Sequence, residues 1–242
     1  MDPGDDGGMR KIGLIGGMSW HSTVEYYRLI NDAVSARLGG HHSARIVLES
    51  LDFDQVRALQ VAGDWDAAGR LLADAGTRLC AAGADTVLIC TNLMHKVAPT
   101  VEEAIDVPLL HIGDAVAGEA LAQGIDAVGL LGSAWVMRER FYGERLARHG
   151  IHAVSPVEAD MQLVDRVVFE ELTRGVVREE SRAEYVRVIE SLAAEGAQAV
   201  VLACTEVGLL IGPDDSPIPV IDSAHAHARA AAQVALEPAL VG

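Results

Sequence analysis

Aromatic residues are scarce in this chain. Only 4% of its 242 residues are Phe, Trp or Tyr, although half of it is hydrophobic. The core must then be built from small and aliphatic side chains, which suits a buried parallel sheet covered by Ala-rich helices. Basic residues are also few: 19 Lys and Arg stand against 35 Asp and Glu, for a formal net charge of −16. Such a chain repels nucleic acid and anionic membrane, so neither is expected as a partner. An anionic metabolite would need a local Arg or Lys to overcome that field. No apolar run approaches the roughly 20 residues that span a bilayer. The opening "MDPGDDGGMR" is acidic and Gly-rich, the wrong charge for a secretory leader, and residues 1–9 read as a mobile tail. Cys80, Cys90 and Cys204 are an odd number and form no C-x-x-C. Free thiols in a reducing cytoplasm are expected, and a redox protein is not. Gly13, Gly16 and Gly17 do not make a G-x-G-x-x-G, and no acidic residue is placed to hold a ribose. They fit close strand–helix packing and an anion-friendly turn at Met18–Ser19 better than a nucleotide site.

What is present is an alternation of β-branched runs and amphipathic stretches. Strands are expected at 11–16, 45–51, 85–90, 127–132, 151–156 and 198–203. Helices are expected at about 21–38, 54–58, 65–82, 135–148, 160–174 and 178–195. Strands alternating with helices predict βαβ units on parallel sheets.

Pieces of the first half recur in the second. "IGLIGGMSW" (12–20) resembles "VGLLGSAWV" (128–136), and "LCAAGADTVLICTN" (79–92) resembles "LAAEGAQAVVLACTE" (192–206). Each copy is followed by an apolar segment after Pro, "VPLLHIGDA" and "IPVIDSAHA". The matched order points to a duplication: two similar Rossmann-like α/β lobes with parallel sheets related by pseudo-two-fold symmetry. Ligands of such folds bind in the cleft at the carboxyl ends of the strands. The expected lobes are 10–109 with 220–242, and 110–219. Aligning Gly83 with Gly196 matches Cys204 to Thr91, and Cys90 to Ala203. Successive strand residues face opposite ways, so Cys90 reads as a core thiol and Thr91 as the residue facing the cleft.

The motifs "GLIGGMSW…TVEYYRLIN", "CTN-MHKVA", "LLG…FYGERL" and "CTEVGLLI" resemble those of the aspartate/glutamate racemase family. The likeness runs from about Lys11 to about Ala228. It implies a cofactor-independent racemase, without pyridoxal phosphate or metal, acting on an amino acid, most simply aspartate or glutamate. It also implies a homodimer. Two residues, one per lobe, flank the substrate's α-carbon; one removes the α-proton and the other returns a proton from the opposite side. In many members both are cysteines. Here the resemblance implies Cys204 and Thr91, as in a Thr-bearing subgroup.

A weakly acidic α-proton needs a strong base in contact with it. A thiolate serves if a helix N-terminus or a nearby cation lowers its pKa. A Thr hydroxyl is a poor base unless a neighbour activates it, so the two directions of reaction should be unequal. Leu93 replaces the family's usual Thr and puts substrate choice in question. Asn92 is a candidate for the substrate's carboxylate or amine, or else a helix cap. Ser133 is a candidate carboxylate contact, or else an N-cap. Backbone N–H groups after Gly16, Asn92, Gly132 and Thr205 can also receive carboxylates, and Met18 lies in the first of these turns. Arg45, by resemblance, is the expected carboxylate-binding cation. Arg174 is ranked ahead of Arg166 as a second one. Glu206 can orient or charge-balance Cys204, or cap a helix. His95, four residues after Thr91, can tune it or be a packed core histidine. No His pair is spaced for a metal. The alternatives are a related Cys-dependent isomerase, decarboxylase or hydantoin racemase, or a binder that has lost catalysis.

Overall fold

The computed structural model describes residues 8–238. The expected tail at 1–9 falls largely outside them. Met9 is not free: it forms an antiparallel bridge with Pro238, and the Arg10 N–H donates to the Ala235 carbonyl.

The chain divides into two compact units. The first runs through His111 and includes the segment from His227; the second is Ile112–Ala226. In the first unit, β1 (Ile12–Gly16), β2 (Ile46–Ser50), β3 (Thr86–Ile89) and β4 (Leu109–Leu110) form a parallel sheet in the order β2-β1-β3-β4. In the second, β5 (Ala127–Gly132), β6 (His152–Val154), β7 (Ala199–Ala203) and β8 (Val220–Asp222) repeat it as β6-β5-β7-β8.

The duplication holds at the level of register. Ile12 pairs with Thr86 in the first sheet, and their sequence equivalents, Val128 and Ala199, pair in the second. Val87 pairs with Leu109 as Val200 does with Val220. The same side chains therefore do the same work twice. Ile12, Leu14, Ile15, Leu88 and Ile89 are fully buried in one sheet, Val128, Leu131, Val200 and Val201 in the other. Burying each such side chain contributes roughly 1.5–3 kcal/mol.

Helices cover the sheets: α1 (Trp20–Leu38), α2 (Phe53–Ala62), α3 (Trp65–Ala81) and α4 (Ala98–Ala104) in the first unit, then α5 (Ile112–Ala122), α6 (Ala134–Arg138), α7 (Arg140–Ala147), α8 (Glu158–Glu170) and α9 (Glu179–Ala194) in the second. A last helix, α10 (Ser223–Leu236), follows β8. In α3 the caps are local: the Asp64 side chain accepts from the Ala67 N–H, and Ala68, Leu72, Ala75 and Leu79 form the buried stripe. Among the described residues no helix is long and apolar enough to cross a membrane.

Two expectations change. The helix expected over 135–148 is two helices, because Glu139 is extended and the Ser155 hydroxyl takes the Met137 carbonyl. The chain was also expected to rejoin the first lobe at 220. Instead β8 pairs with β7 in the second sheet, and the return comes at His227. The reason is main-chain pairing: the Val200 N–H donates to the Pro219 carbonyl, fixing this strand as an edge of the second sheet.

Candidate functional site

All strands within a sheet run parallel, so each unit has one edge where the carboxyl ends gather. In the first unit that edge carries the turn after Gly16, Ser50 and the segment Cys90–Asn92. A side chain at Gly17 would put its Cβ 2.1 Å from the Leu51 carbonyl oxygen, and the residue has a φ of +87°; only glycine fits. The Gly17 N–H is already taken by the Thr23 hydroxyl at 2.8 Å. The Met18 side chain is buried in the aliphatic core with Ile15 and Met94, so Met18 can meet a ligand only through its main chain.

Cys90 is fully buried, and that burial pushes its thiol well up. It is the core residue that alternation predicts. Thr91 is partly exposed one residue on. Its carbonyl accepts a 2.8 Å hydrogen bond from His95 Nδ1. Asn92 and Leu93 are buried at the start of the 3-10 helix Leu93–Val97, and the Asn92 side chain does not cap that helix.

Arg45 is not at this edge. It precedes β2 and bonds through its carbonyl to the Ile12 N–H, while its guanidinium reaches the Met9 carbonyl at 3.4 Å. It stands at the amino end of a five-residue strand, ~16 Å from the carboxyl end at about 3.3 Å per residue. Strand direction alone excludes it as a ligand to Thr91's edge.

Sequence reasoning missed two features of the first unit. Arg57 follows β2 on α2 and donates to Gln60 Oε1 at 3.3 Å; Gln60 Nε2 in turn reaches Met94 Sδ. The second is a buried group beneath Thr91. The His95 ring lies 4.4 Å from His111 and 5.7 Å from His227. Tyr26 Oη and His227 Nδ1 are 2.9 Å apart, and His227 Nε2 donates to the Leu110 carbonyl. Burial, then the two neighbouring imidazoles, holds His95 well below the usual histidine range. The only hint in sequence was three histidines just past apolar strand ends. Among the described residues no group of three or more His, Cys, Asp or Glu is arranged to hold a metal ion.

In the second unit Gly132 ends β5 against β7. A Cβ there would lie 2.6 Å from the Ala203 carbonyl oxygen, so this glycine sets the approach of the strand that carries Cys204. The Ser133 hydroxyl is buried and has no hydrogen-bond partner; it does not cap α6. The next N–H, of Ala134, is not open to a ligand, because Asp165 Oδ1 accepts from it at 2.7 Å.

Cys204 stands in extended conformation at the head of the 3-10 helix Thr205–Leu209 and is partly exposed. Its Sγ donates to Glu206 Oε2 at 3.2 Å, and the Thr205 hydroxyl donates to the same oxygen at 2.8 Å. Burial of the sulfur, and then the charge and hydrogen bond of Glu206, push the thiol well above its usual range. This corrects the expectation of a lowered pKa. The helix here is five residues of 3-10 type, and the nearest charge is a carboxylate. Glu206 bonds the thiol and its neighbour rather than capping a helix. Arg174 lies in the short turn Leu172–Arg174, which packs against Thr205–Leu209; its side chain is exposed. Arg166 is exposed on α8. A separate groove of about 550 Å³ in this unit is lined by Arg138, Arg140, Glu144 and His152 among others. None of the residues named for the site lines it.

The model of the Asp/Glu/hydantoin racemase family matches residues 15–231. The chain belongs to this family. A Yersinia pestis protein proposed to be an Asp/Glu racemase is 48% identical; the match covers 95% of this chain and all of that one, with a TM-score of 0.91. An aspartate racemase homologue from Pyrococcus horikoshii is 32% identical over 95% of this chain and all of its own, with a TM-score of 0.82. The Picrophilus torridus aspartate racemase, at 24% identity over 93% and 94% of the two chains and a TM-score of 0.72, shares the fold. The two-sheet architecture is that of this racemase family.

Proposed function

We propose that this chain racemises an acidic amino acid, aspartate or glutamate, without pyridoxal phosphate, by moving protons between the substrate and Cys204 and Thr91. One observation carries the proposal. In a chain of this family, Thr91 and Cys204 occupy the same position of two sheets whose ladders match residue for residue. A duplicated fold with one proton-bearing group at each equivalent strand end suits a reaction that needs a proton group on either side of one carbon.

Each assigned residue has a chemical reason. Cys204 removes the α-proton of one enantiomer. Thr91 delivers a proton to the other face, and takes one poorly in reverse, since a hydroxyl is a far weaker base than a thiolate. The substrate's α-carboxylate is received by the unpartnered Ser133 hydroxyl and by Asn92. Arg174 supplies charge for the side-chain carboxylate, which a chain of net charge −16 otherwise repels. Leu93, apolar where the family's Thr would bond the substrate, narrows or alters the choice between the two acids. The relatives named for aspartate or Asp/Glu racemisation support this substrate class. The unpaired thiols suit a reducing cytoplasm, and the assembly proposed is a homodimer.

The test is incubation of the protein with L- or D-aspartate and L- or D-glutamate, each alone and without added cofactor, followed by chiral chromatography. Appearance of the opposite enantiomer is the expected result. Loss of substrate to a decarboxylated product, or no change with any of the four, would contradict it.

A further inference from the structure

Thr91 stands where the first sheet has let go of the chain. The pairing of β1 with β3 ends at Ile89, and the last bond across it runs from the Cys90 N–H to the Ile15 carbonyl. Beyond it the Thr91 N–H donates to the Ile89 carbonyl at 2.8 Å, and the Thr91 carbonyl accepts from His95 Nδ1 at 2.8 Å. A β-branched side chain follows its backbone closely, because χ1 has few allowed settings. Whatever fixes the Thr91 carbonyl therefore fixes where the Thr91 hydroxyl points.

The second unit holds the matching residue differently. The Cys204 carbonyl accepts a main-chain bond from the Val207 N–H at 3.1 Å, and the residue equivalent to His95 is Gly208. The first unit uses a side chain instead, and a buried cluster holds that side chain. The His95 ring meets His111 and His227 edge to face, at centroid distances of 4.4 and 5.7 Å, and all three residues are buried. His227, on α10, is itself fixed. Its Nε2 donates to the Leu110 carbonyl at 2.8 Å, so the neutral ring accepts at Nδ1 from the Tyr26 hydroxyl of α1, 2.9 Å away. Both chain crossings meet here, since the chain leaves the first unit after His111 and re-enters it at His227. Burial and the neighbouring imidazoles keep His95 well below the usual histidine range. The ring is therefore neutral at neutral pH, with its Nδ1 hydrogen directed at a carbonyl that can only accept.

We propose that His95, held by His111, His227 and Tyr26, is the positioning residue for Thr91: its bond to the Thr91 carbonyl sets the turn from which the Thr91 hydroxyl reaches the substrate's α-carbon. This rests on the racemase reading of Thr91. His95 gives and takes no proton in the reaction, because its bond is to the carbonyl and not to the hydroxyl.

The test follows deuterium in D₂O, starting from the enantiomer of aspartate or glutamate that exchanges faster, the one Cys204 deprotonates. Two labelled products can form. Cys204 alone can take the α-hydrogen and return a deuteron to the same face, which labels the starting enantiomer. Labelling the opposite enantiomer needs Thr91 as well. In His95→Leu, which keeps the bulk and loses the donor, inversion should fall about a hundredfold relative to retained labelling, the scale of a misplaced catalytic group. Thr91→Ala should shift the ratio the same way, and adding His95→Leu to it should shift it no further. His95→Asn, which keeps a donor, should retain most of the inversion. An unchanged ratio in His95→Leu, with both labels falling together, would overturn the proposal, since it marks a merely structural role. So would His95→Asn behaving as His95→Leu does. Should His95→Leu fail to fold, Tyr26→Phe decides, because it deletes only the hydroxyl that holds His227. The ratio should then move in the same direction, and an unchanged ratio would overturn the proposal. No label in either enantiomer with the wild-type chain would instead overturn the racemase reading, and this proposal with it.

Discussion

Thr91 and Cys204 hold equivalent places with unequal chemistry, and this inequality can be altered one residue at a time. Replacing Thr91 with Cys should bring the two directions of exchange closer together, because a thiol can then take the proton from either face. Cys204→Ser should lower turnover by several orders of magnitude in both directions, since no strong base is left. Ser133→Ala removes a buried hydroxyl that has no protein partner. It should raise KM for the amino acid while costing little stability, because no hydrogen bond within the fold is lost; steady-state kinetics with a thermal melt checks both. Arg45→Ala should leave KM within about twofold, because this arginine lies at the amino ends of the strands and a rim charge far from the ligand contributes little. A large rise in KM there would contradict that placement.

At the level of elements, strand ends position the chemistry, and the glycines set the strand ends. Gly132→Ala would force a Cβ within 2.6 Å of the Ala203 carbonyl. It should displace the Cys204 end of β7 and cost about 1–3 kcal/mol, read as a fall in both melting temperature and kcat. This level also shows what the sequence could and could not reveal. The Cys204–Thr91 match was legible because "ADTVLICT" and "AQAVVLACT" keep one spacing, and the ladders preserve it. Cys90 as a core thiol followed from strand alternation alone. The lobe of "IPVID" was not legible, because an apolar edge strand reads the same in either sheet and only the pairing with β7 decides. The break at Glu139 depends on Ser155 reaching the Met137 carbonyl, a contact that local periodicity does not register. The direction of the Glu206 side chain and the meeting of His95, His111 and His227 are likewise products of the fold. Arg45 went astray for a different reason: resemblance was followed where strand polarity already argued against it.

For the whole molecule, buried ionisable groups set the range of pH over which the fold is stable. His95 is held well below its ordinary value of 6.5. Above that value it is neutral folded and unfolded, and no penalty arises. Below it the unfolded chain takes a proton that the folded one refuses, so stability falls as pH falls, by up to about 1.4 kcal/mol per pH unit. The thiols act on the other side. Cys90 and Cys204 are both raised above 9.0, so the unfolded chain ionises first and stability declines as pH rises past that value. Denaturant titrations across pH should give a plateau between these limits, and His95→Asn, which keeps a donor for the Thr91 carbonyl, should flatten the acid side.

The most direct measurement is deuterium entry at the α-carbon of L- and D-aspartate and L- and D-glutamate, each incubated alone with the protein in D₂O and read by NMR. The Thr91/Cys204 arrangement predicts exchange with at least one acid, markedly faster from one enantiomer than from the other, and lost in Cys204→Ser. Equal rates from both enantiomers, or exchange that survives the loss of Cys204, would contradict it.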